Sequence, residues 1–523
     1  MQVRDGSGAL GEMAGTTARV PAPREPASGP IRVRRTPGPA EAALGGLTLA
    51  LLLALAWTVV TYPFRGDQAI FSLIGRQVLH GETLYTDLWD VKQPGVFLWY
   101  GLADALGLGE VGARLLDVLA AVAFGACVWA LLRRRTATRR VRRWLPALAT
   151  GVLLASAGPG DFGQLEMLCL VPAVGAFALV AADPDRTPGW RRIVGGAVCV
   201  GVVGVFKLPL AAVTGLALLV FVVLRLRGRA RVLALPVVVG AALVPLLVVL
   251  AWLAARGAGG AALRVWLLDA VEMGAAHGSR SLARLLEGLG RYLLWTAPVV
   301  LLAARRGVGA FRRRDALDLA MVAFAVLHVL SVAGQFGWWY QWYFLSAPLV
   351  VLALRGLDDL APRLARGPRP GRAIALLAVA CLPLLAHAAS WTGPAVLDGG
   401  GFTAASRARI DERVAGYDTI RAEIAAAGVR PADSLFVLGD PLYHLLAGKP
   451  LVVRTNGWDY DLMADRQWRE MAGEVATARP SVVLVDDQAA DWLAERGPDL
   501  RAVLARDYTP VRGAAEGTWY RLR

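Results

Sequence analysis

Apolar runs of roughly membrane-spanning length recur along this chain from Ala42 to Ser390. In hydrocarbon the backbone must satisfy its own polar groups, so runs near ~20 residues fold as spanning helices. The 523 residues are 56% hydrophobic with a mean hydropathy of +0.48, a composition that excludes an ordinary soluble globule. The pattern predicts a polytopic α-helical membrane protein with about 11 spans: 43–62, 112–132, 144–158, 164–182, 193–206, 209–224, 232–255, 291–304, 316–334, 341–355 and 373–391.

Loop charge orients these spans. With the N-terminus inside, the loops 133–143, 183–192, 225–231, 305–315 and 355–372 hold 24 arginines in 57 residues. The opposite segments 63–93, 157–163, 207, 256–290 and 335–341 hold 8 lysines and arginines in 81 residues. Basic residues accumulate on the cytoplasmic side of membrane proteins, and every loop here alternates accordingly. The net charge of +15 is therefore read as a topology signal. No reading module accompanies it, so nucleic acid is excluded as a partner.

The expected organisation has three parts. Residues 1–42 are a Pro-, Gly- and Arg-rich, disordered cytoplasmic tail. Residues 43–391 form the membrane domain, with a first outer loop at 63–111 and span 43–62 left uncleaved. Residues 392–523 form an extracytoplasmic α/β domain. Its strand signals are 434–438, 481–485 and 518–522, with helical patterns at 462–478 and 488–505. The stretch 94–110 reads as an interfacial or re-entrant helix, with Trp99 and Tyr100 at headgroup level. Cys127, Cys169, Cys199 and Cys381 all lie in apolar runs without metal-ligand spacing.

The chemistry concentrates after the first run. Gly66-Asp67-Gln68 is followed by Tyr85-Thr86-Asp87-Leu88-Trp89-Asp90-Val91-Lys92-Gln93-Pro94-Gly95. Ionisable groups at a membrane edge are costly and tend to mark function. The chain has only three lysines (Lys92, Lys207 and Lys449) against 53 arginines, and a compact ammonium suits a phosphate. Asp67 is either a general base or a helix-capping loop residue. Asp87, Asp90 and Lys92 either hold a divalent ion or a phosphate group, or pair with one another. Tyr85 and Trp89 either stack on a sugar or anchor at the interface. Lys207 is either a phosphate contact or a snorkelling side chain. Arg114 and Glu166 begin spans and either line a site or form interior pairs. The loop 256–290 carries His277 and Arg280, and His277 has no partner at metal-ligand spacing. The aromatic run 335–343, with Tyr340 and Tyr343, is either an interfacial belt or a sugar platform. Gly439-Asp440-Pro441 reads as a strand-to-helix turn without chemistry.

With Gly81-Glu82, Leu84 to Gly95, and Gly112-Ala113-Arg114-Leu115-Leu116-Asp117, this loop resembles the GT-C class of integral-membrane glycosyltransferases. The nearest resemblance is to bacterial proteins of the family 39 type, related to protein mannosyltransferases and to the aminoarabinose transferases of lipid A. The chain departs from many relatives in having Asp67-Gln68 for Asp-Glu and Pro94-Gly95 for Pro-Pro. The resemblance implies a polyprenyl-phosphate-linked sugar donor and an envelope glycan, lipid or protein acceptor. Transfer would occur at the outer face of a bacterial cell membrane, with inversion at the anomeric carbon. Asp67 would be the base, Asp90 an assisting carboxylate, and Lys92 and Lys207 the phosphate contacts; any metal would sit on Asp67 and Asp90. Two other readings compete: a transporter or flippase for lipid-linked sugars, and a non-catalytic protein binding envelope partners. The first calls for paired half-sequences and ionisable groups deep in spans; the sequence shows no repeat, and most ionisable residues cluster outside the spans. The second leaves the carboxylate–lysine loop unused.

Overall fold

The computed structural model describes residues 38–269, 271–273, 281–335, 338–366, 370–397, 416–511 and 517–523. The chain separates into two units, Met1–Leu47 and Thr48–Arg523. Of the first, residues 38–47 are described, and they include the opening turns of α1. All contacts below lie within the second unit.

The membrane part contains α1 (Pro39–Thr61), α2 (Gly66–Leu79), α3 (Pro94–Ala105), α4 (Gly109–Leu132), α5 (Arg139–Ser156), α6 (Leu165–Leu168) and α7 (Leu170–Ala181). It continues with α8 (Trp190–Phe206), α9 (Leu208–Arg225), α10 (Arg229–Ala255), α11 (Gly259–Arg264), α12 (Leu282–Trp295) and α13 (Ala297–Val308). The short α14 (Ala310–Arg313) leads into α15 (Ala316–Ala333), α16 (Ser346–Arg366) and α17 (Pro370–Leu397). Among the described residues six helices are long and apolar enough to cross a membrane: α1, α4, α9, α10, α15 and residues 374–393 of α17. The pair α12–α13, bent by 93° at Thr296, adds a seventh if taken as one broken span. The other expected crossings fall on helices that are short or charged. α7 has 12 residues and α8 has 17, α5 opens on Arg139 and Arg140, and α16 carries Arg355, Asp358 and Asp359.

Local sequence sets the breaks. Lys207 is extended between α8 and α9, and Pro209 occupies the first turn of α9, where a missing N–H does no harm. α2 begins after an extended Arg65, whose N–H is accepted by Gln68 Oε1 at 2.7 Å. It stops at Gly81, which sits at φ 111°. α2 and α3 pack as a hairpin, so close at Gly75 that a Cβ there would lie 2.4 Å from the Phe97 carbonyl oxygen. Residues 94–105 are thus a helix held against α2. Trp99 is partly exposed, but Tyr100 is buried against Phe64 and Phe71 instead of sitting at a headgroup level.

The C-terminal part holds α18 (Tyr417–Ala426), α19 (Leu442–Ala447), α20 (Asp465–Ala478), α21 (Asp487–Arg496) and α22 (Pro498–Asp507). Its four strands are β1 (Leu435–Leu438), β2 (Val482–Val485), β3 (Tyr508–Val511) and β4 (Thr518–Leu522). The sheet order is β1-β2-β4-β3, with β1 and β2 parallel and the other pairs antiparallel. The helical pattern at 488–505 is two helices, because Gly497-Pro498 breaks it. β3, which carries Pro510, pairs only with β4 and is the strand that the sequence pattern did not suggest.

This domain shares a core with the first loop. Phe64, Ile70, Leu88 and Trp89 belong to the same buried cluster as Leu435, Val437, Val483 and Trp519. A backbone bridge pairs Trp89 with Thr455, and Gln77 exchanges two hydrogen bonds with Leu451. At the other end of the bundle lies a network of paired charges, with Arg355 on Asp315 and Asp318, and Arg306 on Asp318 and Asp359. Buried charges persist only when paired in this way.

Candidate active site

Asp67 stands in the first turn of α2, where the helix dipole favours a carboxylate. Two N–H donors hold it: Gln164 Nε2 at 2.9 Å from Oδ2 and Trp458 Nε1 at 2.8 Å from Oδ1. One comes from the loop before α6, the other from the C-terminal domain. Each carboxylate oxygen retains a second lone pair, so the group can still accept a proton.

The Lys92 ammonium feels the Asp67 charge and pairs directly with two other carboxylates. Its Nζ is 3.3 Å from Asp90 Oδ1 and 3.6 Å from Asp459 Oδ1, and it sits over the Phe71 ring at 5.3 Å. Burial opposes its charge, but Asp459, Asp90 and Asp67 outweigh burial and raise its pKa. The ammonium is therefore permanently charged. Burial likewise pushes the Asp90 carboxyl up, against the pull of Lys92, and pushes Asp459 up to about 7. Asp90 Oδ2 and Asp459 Oδ2 are buried with no hydrogen-bond partner among the described residues.

Lys207 Nζ pairs with Glu166 Oε1 at 2.6 Å. Burial raises the pKa of the Tyr340 hydroxyl, and the charges of Asp67, Glu166, Asp459 and Asp461 add to the rise. Tyr343 donates to Asp161 Oδ2 at 3.1 Å, and Trp339 Nε1 donates to Asp161 Oδ1 at the same distance. The aromatic run therefore turns polar edges onto a buried carboxylate.

The remaining sequence candidates have structural contacts. Arg114 is fully buried and donates to the backbone oxygens of Tyr62, Pro63 and Phe162 and to Gln68 Oε1, with Asp117 at 3.5 Å. It fixes the entry to α2 and reaches Asp67 only through that frame. Tyr85, at φ 75°, donates to the Lys92 carbonyl at 2.8 Å and accepts from Trp266 at 2.9 Å. Trp89 is buried, and Asn456 donates to its carbonyl. Asp87 is exposed and caps its own turn through the Thr83 N–H. Arg280 and His277 lie outside the described residues.

Among the described residues no group of three His, Cys, Asp or Glu side chains is arranged to hold a metal ion. Both Asp67 oxygens face N–H donors and Lys92 occupies the space between Asp90 and Asp459, so the donor set does not fit a metal on Asp67 and Asp90.

Sequence reasoning passed over Asp161 and Gln164, and also the run Asn456-Gly457-Trp458-Asp459-Tyr460-Asp461. The signal was available in part. Gly158-Pro159-Gly160-Asp161 is a polar break between apolar runs, and 456–461 packs two acids and two aromatics into one turn.

Comparison with solved structures decides the architecture. ArnT from Cupriavidus metallidurans in the apo state superposes with a TM-score of 0.57 at 17% identity, over 92% of this chain and 98% of that one. The chain has the GT-C fold. The same protein bound to undecaprenyl phosphate gives a TM-score of 0.58 at 16% identity, with the same coverage. No family model matches this chain, and no curated protein is similar to it in sequence.

Proposed function

We propose that the chain is a membrane glycosyltransferase that moves a sugar from a polyprenyl-phosphate donor to an acceptor hydroxyl or amine. The observation that carries this reading is a doubly held carboxylate, Asp67, within electrostatic reach of a charged lysine, Lys92. Support comes from the fold, which is similar to that of a protein solved with undecaprenyl phosphate bound.

In this reading the acceptor O–H or N–H gives its proton to Asp67 as its oxygen or nitrogen bonds to the anomeric carbon. The bond from that carbon to the phosphate oxygen breaks, and the electron pair leaves with the phosphate. Attack opposite the leaving group inverts the centre. Lys92 stabilises the departing phosphate, where charge develops. Asp90 accepts from both the backbone N–H and Nζ of Lys92 and so orients it. Lys207, already paired with Glu166, is an auxiliary phosphate contact that Glu166 must share. A metal has no part in this scheme. The site lies at the outer face of a bacterial cell membrane, residues 1–42 are cytoplasmic, and the C-terminal domain is extracytoplasmic. The acceptor is a glycan, lipid or protein of the envelope.

The test is donor chemistry. Purified protein in lipid vesicles should transfer label from polyprenyl-phosphate sugars and not from nucleotide sugars. Lys92→Ala should raise the donor KM about tenfold or more. Transfer from a nucleotide sugar alone, or an unchanged donor KM in Lys92→Ala, would refute the reading.

A further inference from the structure

We propose that Trp458 is a positioning residue for Asp67, supplied by the C-terminal domain, which fixes the carboxylate for proton transfer without itself meeting substrate. The inference rests on the reading of Asp67 as the base.

The Cβ–Cγ torsion of an aspartate is broad, so an unaided carboxylate samples many orientations. Here the two oxygens are held from two directions, by Gln164 at 2.9 Å and by the Trp458 indole at 2.8 Å. Donors on both oxygens fix the carboxylate plane, and charge-assisted bonds of this kind are strong.

Trp458 is itself fixed. Its backbone N–H donates to Asn456 Oδ1 at 3.0 Å, and Asn456 Nδ2 donates to the Trp89 carbonyl at 2.7 Å. The first loop therefore sets the turn that sets the indole. The ring lies over Gly66, where a Cβ would be 2.2 Å from a ring carbon. Position 66 thus has room for the indole only as glycine. The next residue, Asp459, pairs with Lys92. One turn of the C-terminal domain accordingly touches both the base and the phosphate cation. The bond satisfies the indole N–H and at the same time orders the carboxylate that receives it. A phenylalanine there keeps an aromatic ring, though a smaller one, and leaves Asp67 with one of its two donors, Gln164.

The experiment is a double-mutant cycle on the full-length protein, with transfer kinetics and polyprenyl-phosphate binding measured side by side. Trp458→Phe should lower kcat about tenfold while donor KM stays within about twofold. In an Asp67→Asn background the same change should add less than about twofold, because residues that act through one another are not additive. Gly66→Ala keeps every polar group and removes only the space, and it should give the same kcat loss and the same silence beside Asp67→Asn. Equal losses in both backgrounds, or no loss in either, would overturn the proposal and leave Trp458 a packing residue. If Asp67→Asn alone transfers at the parental rate, the assignment of the base fails instead. If Trp458→Phe no longer binds polyprenyl phosphate, Gly66→Ala decides by the same two criteria.

Discussion

Asp459 Oδ1 lies 3.6 Å from Lys92 Nζ, so a carboxylate from the C-terminal domain already pairs with the cation assigned to the donor phosphate. Burial pushes this carboxyl up to about 7, with Lys92 opposing and Asp90, Asp67 and Asp461 adding to the rise. Above that pH the anion competes with phosphate for Lys92. Below it the group is neutral and the competition lapses. Affinity for a non-hydrolysable polyprenyl phosphodiester should therefore weaken as pH rises through about 7. Asp459→Asn should bind at every pH as the parent does on the acid side, a gain of about tenfold at pH 8 for about 1.4 kcal/mol of charge interaction. Isothermal titration of the phosphodiester at three pH values checks this, and a parental slope in Asp459→Asn would contradict it.

Much of this architecture is legible in the sequence, and the reason is periodicity. Apolar runs announce spanning helices, and Lys207-Leu208-Pro209 marks a helix break because proline is favoured in a helix's first turn. The strands at 435–438 and 482–485 are continuous apolar runs, as buried parallel strands must be. Contacts between distant segments leave no such trace. Trp458 and Asp67 are 391 positions apart, and nothing local to either residue announces the other. Arg114 shows the same limit. Its position at a span start fits a site or a frame equally well, and only its saturated contacts decide between them.

Arg114 is fully buried, and its guanidinium is fixed between α2, α4 and the 158–163 loop. Removing it takes the guanidinium donor from the Tyr62 and Pro63 carbonyls, and leaves the Phe162 carbonyl to Gln68 and the Asp117 carboxylate to Trp99. Arg114→Met should lower stability by about 3–5 kcal/mol. Arg114→Lys should recover little, since one ammonium cannot replace a planar fork. Thermal unfolding in detergent measures both, and a parental melting temperature for Arg114→Met would contradict the framing role.

Lys207 and Glu166 test structure against function. Lys207→Met alone strands a buried Glu166 and should destabilise the protein, by about 3 kcal/mol. The double variant Lys207→Met with Glu166→Gln removes both charges and should restore stability. If Lys207 also contacts the donor phosphate, the stable double variant should show a raised donor KM. A double variant with parental stability and parental KM would remove Lys207 from the site.

Gly75 allows the closest approach between α2 and α3. Gly75→Ala should force the hairpin apart, costing about 1–3 kcal/mol as overpacked contacts do. Because α2 carries Asp67, the same variant should lower kcat more than it alters donor binding. Parallel unfolding and kinetic measurements check it, and unchanged stability would show that the hairpin can relax.

The most direct measurement is single-turnover transfer by Asp67→Asn with a labelled polyprenyl-phosphate sugar, alongside donor binding by the same variant. Donor binding should stay within about threefold of the parent, and transfer should slow by about 10²–10⁴, the range of a lost general base. Transfer at the parental rate would contradict the account at its centre.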